Sequence, residues 1–293
     1  MNLEAEHFLK AGNTLGEGPV WSVQERALYW VDILNDCFKR FYTETGKFEV
    51  IETGVRVGTL AFRASGGLIL ATSKGIAFWD AMRGQLDFRI DPENGNLDMR
   101  FNDGKVDPQG RFWAGSMYYE PEVGKREGSL YRFDPDGSLH KMETHLAIPN
   151  GIAWSADNKT MYHTDSLRHA IYAYDFDPAT GNIENKRIFI DTSEEPGVPD
   201  GMTMDCEGCL WSARWGAWKV VRYDPKGKKI LEISLPVEQP TSCIFGGENM
   251  DELFITTARE HFTEEQARQQ PLAGDIFVVR PGIQGMQEPM FAG

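Results

Sequence analysis

Strand-like runs recur along this chain at intervals that fit one architecture. They are A-L-Y-W-V-D-I at 27–33, G-L-I-L-A-T-S at 67–73, R-F-W-A-G-S-M at 111–117, T-M-Y-H-T-D-S at 160–166, C-L-W-S-A-R-W at 209–215 and E-L-F-I-T-T-A at 252–258. Each is rich in aromatic or branched side chains and follows a polar or glycine turn, which marks a strand. Their second residues, Leu28, Leu68, Phe112, Met161, Leu210 and Leu253, are 40, 44, 49, 49 and 43 positions apart. A period of roughly 40–50 residues is that of a propeller blade, so the chain reads as all-β, a six-bladed β-propeller. Further segments at 129–137, 170–178 and 220–227 alternate apolar and polar residues and contain an Asp-Pro turn, as the third strand of a blade would. A pair of β-sandwiches is the structural alternative, but it would not require six evenly spaced copies. No linker or composition break interrupts the chain, so residues 1–293 read as a single propeller domain. One possible helical turn lies near T-E-E-Q-A-R at 263–268.

If these six runs are equivalent, the strand before each is equivalent too. Counting back ten or eleven residues from each marker reaches Glu17, Gly58, Asn102, Asn150, Asp200 and Ser242. In a propeller such strands line the central channel, and their first residues form a ring at one mouth. Glu17, Asn102, Asn150 and Asp200 would therefore converge there. Two carboxylates and two amide oxygens are hard ligands suited to one divalent cation. Without a cation the carboxylates would repel, and one would tend to hold a proton. Each residue alone reads rather as a turn former at a strand entry. Four at one phase of the repeat favour a metal site at one mouth of the channel. Pro149 and Pro199 stiffen the approach to this ring, and Gly201 in V-P-D-G-M-T-M is expected to free the chain for a tight turn before the apolar run.

Composition narrows the partners. The 44 acidic against 30 basic residues give a formal charge of −14, a poor match for nucleic acid or anionic membrane. No apolar run approaches the roughly 18–20 residues that span a bilayer. The acidic N-terminus lacks a secretory pattern, so a cytoplasmic location is the default. Cys206 and Cys209 form C-x-x-C, but they flank Glu207 and Gly208 in what reads as a hairpin turn, and no second pair exists, so inert thiols are expected. There is no G-x-S-x-G, H-E-x-x-H or Walker loop. The acidic stretch at 91–98 departs from a calcium loop and reads as an interblade turn, and Asn158 as a hairpin tip. His163 and His169 read as satisfied strand or surface residues rather than ligands.

Several motifs occur together and in order: L-G-E-G-P-V-W at 15–21, R-F-N-D-G-K-V-D-P at 100–108, A-G-S-M at 114–117, N-G at 150–151, D-S at 165–166, P-D-G at 199–201, S-C-I-F-G-G at 242–247 and T-A-R at 257–259. In combination they resemble the regucalcin/gluconolactonase/luciferin-regenerating-enzyme family over nearly the whole chain. The resemblance implies a six-bladed propeller holding one divalent cation (calcium, zinc, manganese, magnesium or ferrous iron) and hydrolysing a sugar lactone. It places the metal ligands on Glu17, Asn150 and Asp200, with Asp200 also the candidate general base. It places substrate contacts on Arg100, Asn102 and Glu120. The local text at 118–123 is Y-Y-E-P-E-V, with two tyrosines where many family members carry smaller residues. Tyr118 and Trp215 are thus candidate pocket walls, and 118–128 a candidate loop over the site. Trp113 and Trp211 read as blade core. A non-catalytic calcium-binding or docking propeller, and an esterase or phosphotriesterase on the same scaffold, are the alternatives. A monomer or weak homo-oligomer is the expected assembly.

Overall fold

A computed structural model describes residues 3–293. Six sheets follow one another along the chain, each a four-stranded antiparallel meander, one extended by an added strand. Their inner strands are Gly16–Ser22, Val57–Phe62, Met99–Val106, Pro149–Trp154, Val198–Met204 and Pro240–Gly246. These six pack around a common axis, and the six marker runs are the second strands, giving the expected six-bladed propeller.

The layering follows from the side-chain pattern. Second strands such as Ala27–Asp32 and Leu68–Thr72 are buried along their whole length, because the blades on either side cover both faces. An outer strand such as Phe48–Glu52 alternates exposed and half-buried residues. Ring closure uses the N-terminus: Glu6–Leu9 pairs antiparallel with Ile276–Val279, completing the sixth sheet with a strand from the other end of the chain. Leu3–Glu4 runs parallel to Lys229–Ser234 at the edge of the fifth sheet. Both additions cover strand edges that would otherwise be open for pairing.

Buried aspartates clamp the hairpins. Asp205 accepts from the backbone N–H groups of Glu207 and Cys209, from Trp211 Nε1 at 2.8 Å and from Arg222 Nε at 2.8 Å. Asp107 repeats the pattern two blades earlier with Gln109, Arg111 and Trp113. These partners satisfy carboxylates that would otherwise be costly to bury. The Asp205 turn also explains C-x-x-C: Cys206 is exposed, Cys209 is buried, and all four thiols are free.

Asn158 sits at a hairpin tip, residues 91–98 join two blades, and the short helix Glu264–Gln269 carries a capping box from Thr263 to Gln266. No helix among the described residues is long and apolar enough to cross a membrane. The C-terminal segment crosses the far end of the channel. Gly285 N donates to Met250 O, Phe291 N to Phe62 O and Ala292 N to Gly110 O, while Lys105 and Glu288 pair at 2.9 Å.

His163 corrects one expectation. It is fully buried, but neither ring nitrogen has a hydrogen-bond partner among the described residues. Burial holds the imidazole neutral and pushes its pKa down to about 3. The unfolded chain, with an ordinary histidine, binds the extra proton first, so stability falls as pH drops through about 6.5 and keeps falling towards about 3. His163→Leu should remove this contribution. At about pH 4.5 the variant should recover about 2–3 kcal/mol relative to its own neutral-pH offset from wild type, read from denaturant midpoints across the pH series. Parallel pH profiles for the two proteins would sink the assignment.

Candidate active site

The ring is built from six aligned irregularities. Every inner strand shifts register against its second strand near its first residues: at Glu17/Val20, Val57/Thr59, Phe101/Gly104, Asn150/Ile152, Pro199/Met202 and Pro240/Ser242. A bulge bends the strand and re-aims a side chain, here towards the axis. The expectation of a tight turn at Gly201 is therefore corrected. Pro199, Asp200 and Gly201 all lie inside a strand. Glycine is required by close approach, since a Cβ at Gly201 would lie 2.1 Å from Ser242 Oγ and 2.4 Å from Ser242 Cβ. The inner strands converge so tightly here that a side chain on this face has no room.

Above the ring opens a cavity of about 410 Å³, within the range of small-molecule sites. Glu17, Asn102, Asn150 and Asp200 line it together, each at most 5% exposed, and Arg100 joins them. Gly58 and Ser242 are not among its lining residues.

The amides are held by a directed relay. Arg100 Nη1 donates to Asn102 Oδ1 at 2.6 Å, and Asn102 Nδ2 donates to Asn150 Oδ1 and to Pro149 O, both at 2.9 Å. Asn150 Nδ2 donates to Ser166 Oγ at 2.9 Å, which donates in turn to Pro199 O at 2.7 Å. Ser166 thus fixes which end of the Asn150 amide faces the axis, with the oxygen turned inward.

The carboxylates have no comparable support. Glu17 accepts from Gly18 N at 2.9 Å, but Asp200 Oδ1 has no partner among the described residues. Burial, and next the charge of Asp103 just below, push the Glu17 pKa up. Burial, then Glu17, then Asp103, raise that of Asp200 well above the ordinary carboxylate range. The arrangement is electrostatically unfinished, and a divalent cation would complete it. An inward amide oxygen, two carboxylates and an unused Asp200 Oδ1 form a hard, all-oxygen donor set that fits such an ion. Among the described residues no group of three or more His, Cys, Asp or Glu forms a metal cluster, so the amides are an essential part of that fit.

Tyr118 and Glu120 are not among the cavity's lining residues, whereas Met117, Tyr119 and Pro121 are. Successive strand residues face opposite sides, so with Met117 turned in at the end of Phe112–Tyr118, Tyr118 turns away. The chain then leaves the strand, Tyr119 swings back over the mouth, and Glu120 is exposed. Trp215 lines the wall as expected, and Trp113 and Trp211 are core. Sequence reasoning assigned no part to Ser166, Asp103, Glu260 or His261. The D-S pair at 165–166 was the available signal for Ser166. Glu260 and His261 lie in a loop outside the repeat and also line the cavity.

Residues 15–259 match the model of the SMP-30/Gluconolactonase/LRE-like region. A 6-deoxy-6-sulfogluconolactonase from Pseudomonas putida is 38% identical over 296 residues, covering 100% of both chains. Regucalcin from Xenopus laevis is 38% identical over 286 residues, 95% of each chain. A solved structure of the calcium-binding protein regucalcin from Agrobacterium tumefaciens superimposes with a TM-score of 0.94 at 28% identity, covering 100% of this chain and 99% of that one.

Proposed function

The chain belongs to the SMP-30/gluconolactonase/LRE-like family, and from that premise we propose that it hydrolyses a sugar lactone to the open aldonic acid with the help of one divalent cation. The observation that carries this reading is the pair Glu17 and Asp200, two buried, under-satisfied carboxylates sharing one cavity with Asn102 and Asn150. The relative described as a 6-deoxy-6-sulfogluconolactonase supports the substrate class.

Glu17, Asn150 and Asp200 would hold the cation, with Ser166 locking the Asn150 amide. A bound cation supplies Lewis-acid polarisation of the lactone carbonyl and stabilises negative charge on its oxygen. Asp200 accepts a proton from the attacking water as the water oxygen bonds to the carbonyl carbon. It returns that proton to the ring oxygen as the carbon–oxygen ring bond breaks. Arg100 orients the hydroxyl groups with the guanidinium N–H groups it does not give to Phe101 and Asn102, Asn102 holds that guanidinium in place through its Oδ1, and Tyr119 and Trp215 wall the ring in. Glu17, Arg100, Asp200 and the two amides suit a polyol, while the apolar wall of Leu15, Met117, Ile148 and Val198 also admits an aryl ester, which the test therefore includes.

The test is a substrate panel: γ- and δ-aldonolactones, aryl esters and phosphotriesters, followed by pH-stat with each of calcium, magnesium, manganese and zinc. Turnover confined to lactones is expected. Metal binding with no lactone turnover would instead establish a binding propeller, and preferential aryl-ester or phosphotriester cleavage would establish a different hydrolase.

A further inference from the structure

Tyr119, partly exposed, lines the mouth cavity. Beyond that ring lies a shallow outer basin lined by Asp36, Gly54, Val55, Arg56, Ser73, Lys74 and Tyr119, so Tyr119 is the wall common to both spaces. Arg56 immediately precedes the inner strand of the second blade and Lys74 occupies that blade's next hairpin; the two are tied by Ser73 N donating to Arg56 O at 2.9 Å. The Arg56 guanidinium lies over the Tyr119 ring, 4.8 Å from its centroid. Among the described residues the acidic group within 4 Å of it is Asp36, 3.8 Å from Nε, with a half-exposed side chain. That is beyond hydrogen-bond distance, so no hydrogen bond commits the guanidinium to Asp36, whose Oδ1 is itself buried and without a hydrogen-bond partner among the described residues. Lys74 forms no ion pair among the described residues, and neither does Arg100 on the inner side of Tyr119. Arg100 is drawn by the charges of Glu260 and Glu17 and repelled by that of Arg56, which places the two guanidiniums in one field.

A run of incompletely paired cations is out of place on a chain with a net charge of −14. Solubility does not need it, and a neutral polyol gains little from it. An anionic group gains much, because hydrogen bonds between guanidinium and carboxylate, sulfonate or phosphate oxygens are charge-assisted and match the planar fork. Such an anion would also be steered locally against the protein's overall field.

We propose that the substrate carries an anionic group on the end remote from the lactone carbonyl, and that Arg56 with Lys74 binds it in the basin beyond Tyr119. This rests on the lactone reading above and narrows it to lactones of acidic, sulfonated or phosphorylated sugars. Tyr119 sets the direction: the lactone ring lies on its inner side against the carboxylates, and the anionic end passes its edge to reach Arg56. Asp36 is the group the anion must outcompete, and its half-exposed carboxylate can turn to solvent.

The test compares glucono-δ-lactone with its 6-phosphate, its 6-deoxy-6-sulfo analogue and the carboxylate-bearing glucarolactone, for wild type, Arg56→Gln, Lys74→Gln and Arg56→Lys. Wild type should favour at least one anionic lactone by about tenfold or more in kcat/KM, chiefly through KM. Arg56→Gln should cut the anionic-to-neutral ratio about tenfold, Lys74→Gln by less, and Arg56→Lys should restore part of it. The preferred anion identifies the chemical source. A wild-type ratio near unity for all three anions, or an Arg56→Gln loss equal for neutral and anionic lactones, overturns the proposal. Calorimetric binding of the ring-opened acids separates this from failure of the lactone reading. If no lactone turns over but the anionic-ended acids bind wild type more tightly than Arg56→Gln, the subsite stands and the reaction falls. If those acids bind both proteins equally, the subsite falls.

Discussion

Asp200→Asn should lower lactone turnover by about a thousandfold or more while making the metal-free protein more stable. The two effects have one origin. Asp200 is buried, its Oδ1 is unpartnered, and Glu17 and Asp103 raise the cost of its charge. An amide of the same shape removes that repulsion, so the metal-free variant should melt above wild type. At this chain length each kcal/mol gained raises the Tm by about 2 °C. The same change removes the proton acceptor and half the negative charge that would hold a cation. Added calcium or manganese should therefore raise the Tm of wild type and leave that of Asp200→Asn nearly unmoved. The measurement is kcat/KM on a gluconolactone beside paired thermal melts with chelator and with metal. A variant within tenfold of wild-type activity would remove Asp200 from the chemistry. A variant that loses both activity and stability would point to a structural role instead.

This opposition between stability and function marks the boundary of what the sequence discloses. The blades were legible because second strands are packed on both faces, which makes runs such as Ala27–Asp32 and Glu252–Thr257 mainly apolar or aromatic at a fixed interval. The ring was legible for the same reason, since Glu17, Asn102, Asn150 and Asp200 keep one phase of that interval. The bulges were not, because a register shift depends on the partner strand and leaves no periodicity of its own. They surface only as the glycines at 58, 151 and 201, whose meaning as points of close approach needs the neighbouring blade. Tyr118 and Tyr119 could not be separated by composition, as the choice turns on where the strand ends. The closing strand Glu6–Leu9 is short, half polar and far from its partner in sequence. Arg56, on the outer basin, escaped notice because the ring position of its blade is the glycine at 58.

Withdrawal of metal should be as damaging to turnover as loss of Asp200, but reversible. Chelation followed by desalting is expected to take lactone hydrolysis to background, and re-addition of a divalent cation to restore it. Glu17, Asn150 and Asp200 offer oxygen alone, so calcium, magnesium and manganese suit the donor chemistry, and zinc must accept a site without nitrogen or sulfur. Binding adds stability by mass action, about 2.7 kcal/mol at a hundredfold excess over Kd. That gain should shrink sharply in Glu17→Gln, which keeps the shape of the ring but leaves a single carboxylate. It should shrink less in Ser166→Ala, where both charges remain and only the Asn150 amide is freed to turn. This ordering distinguishes a cation held by the ring from one bound diffusely by the acidic surface. Diffuse binding would follow net charge and be screened by salt. It would survive both substitutions. Full turnover after exhaustive chelation would instead require Arg100 and the amides alone to stabilise the developing oxyanion. In that case the two raised carboxyl groups would have to work as an acid and base pair sharing one proton.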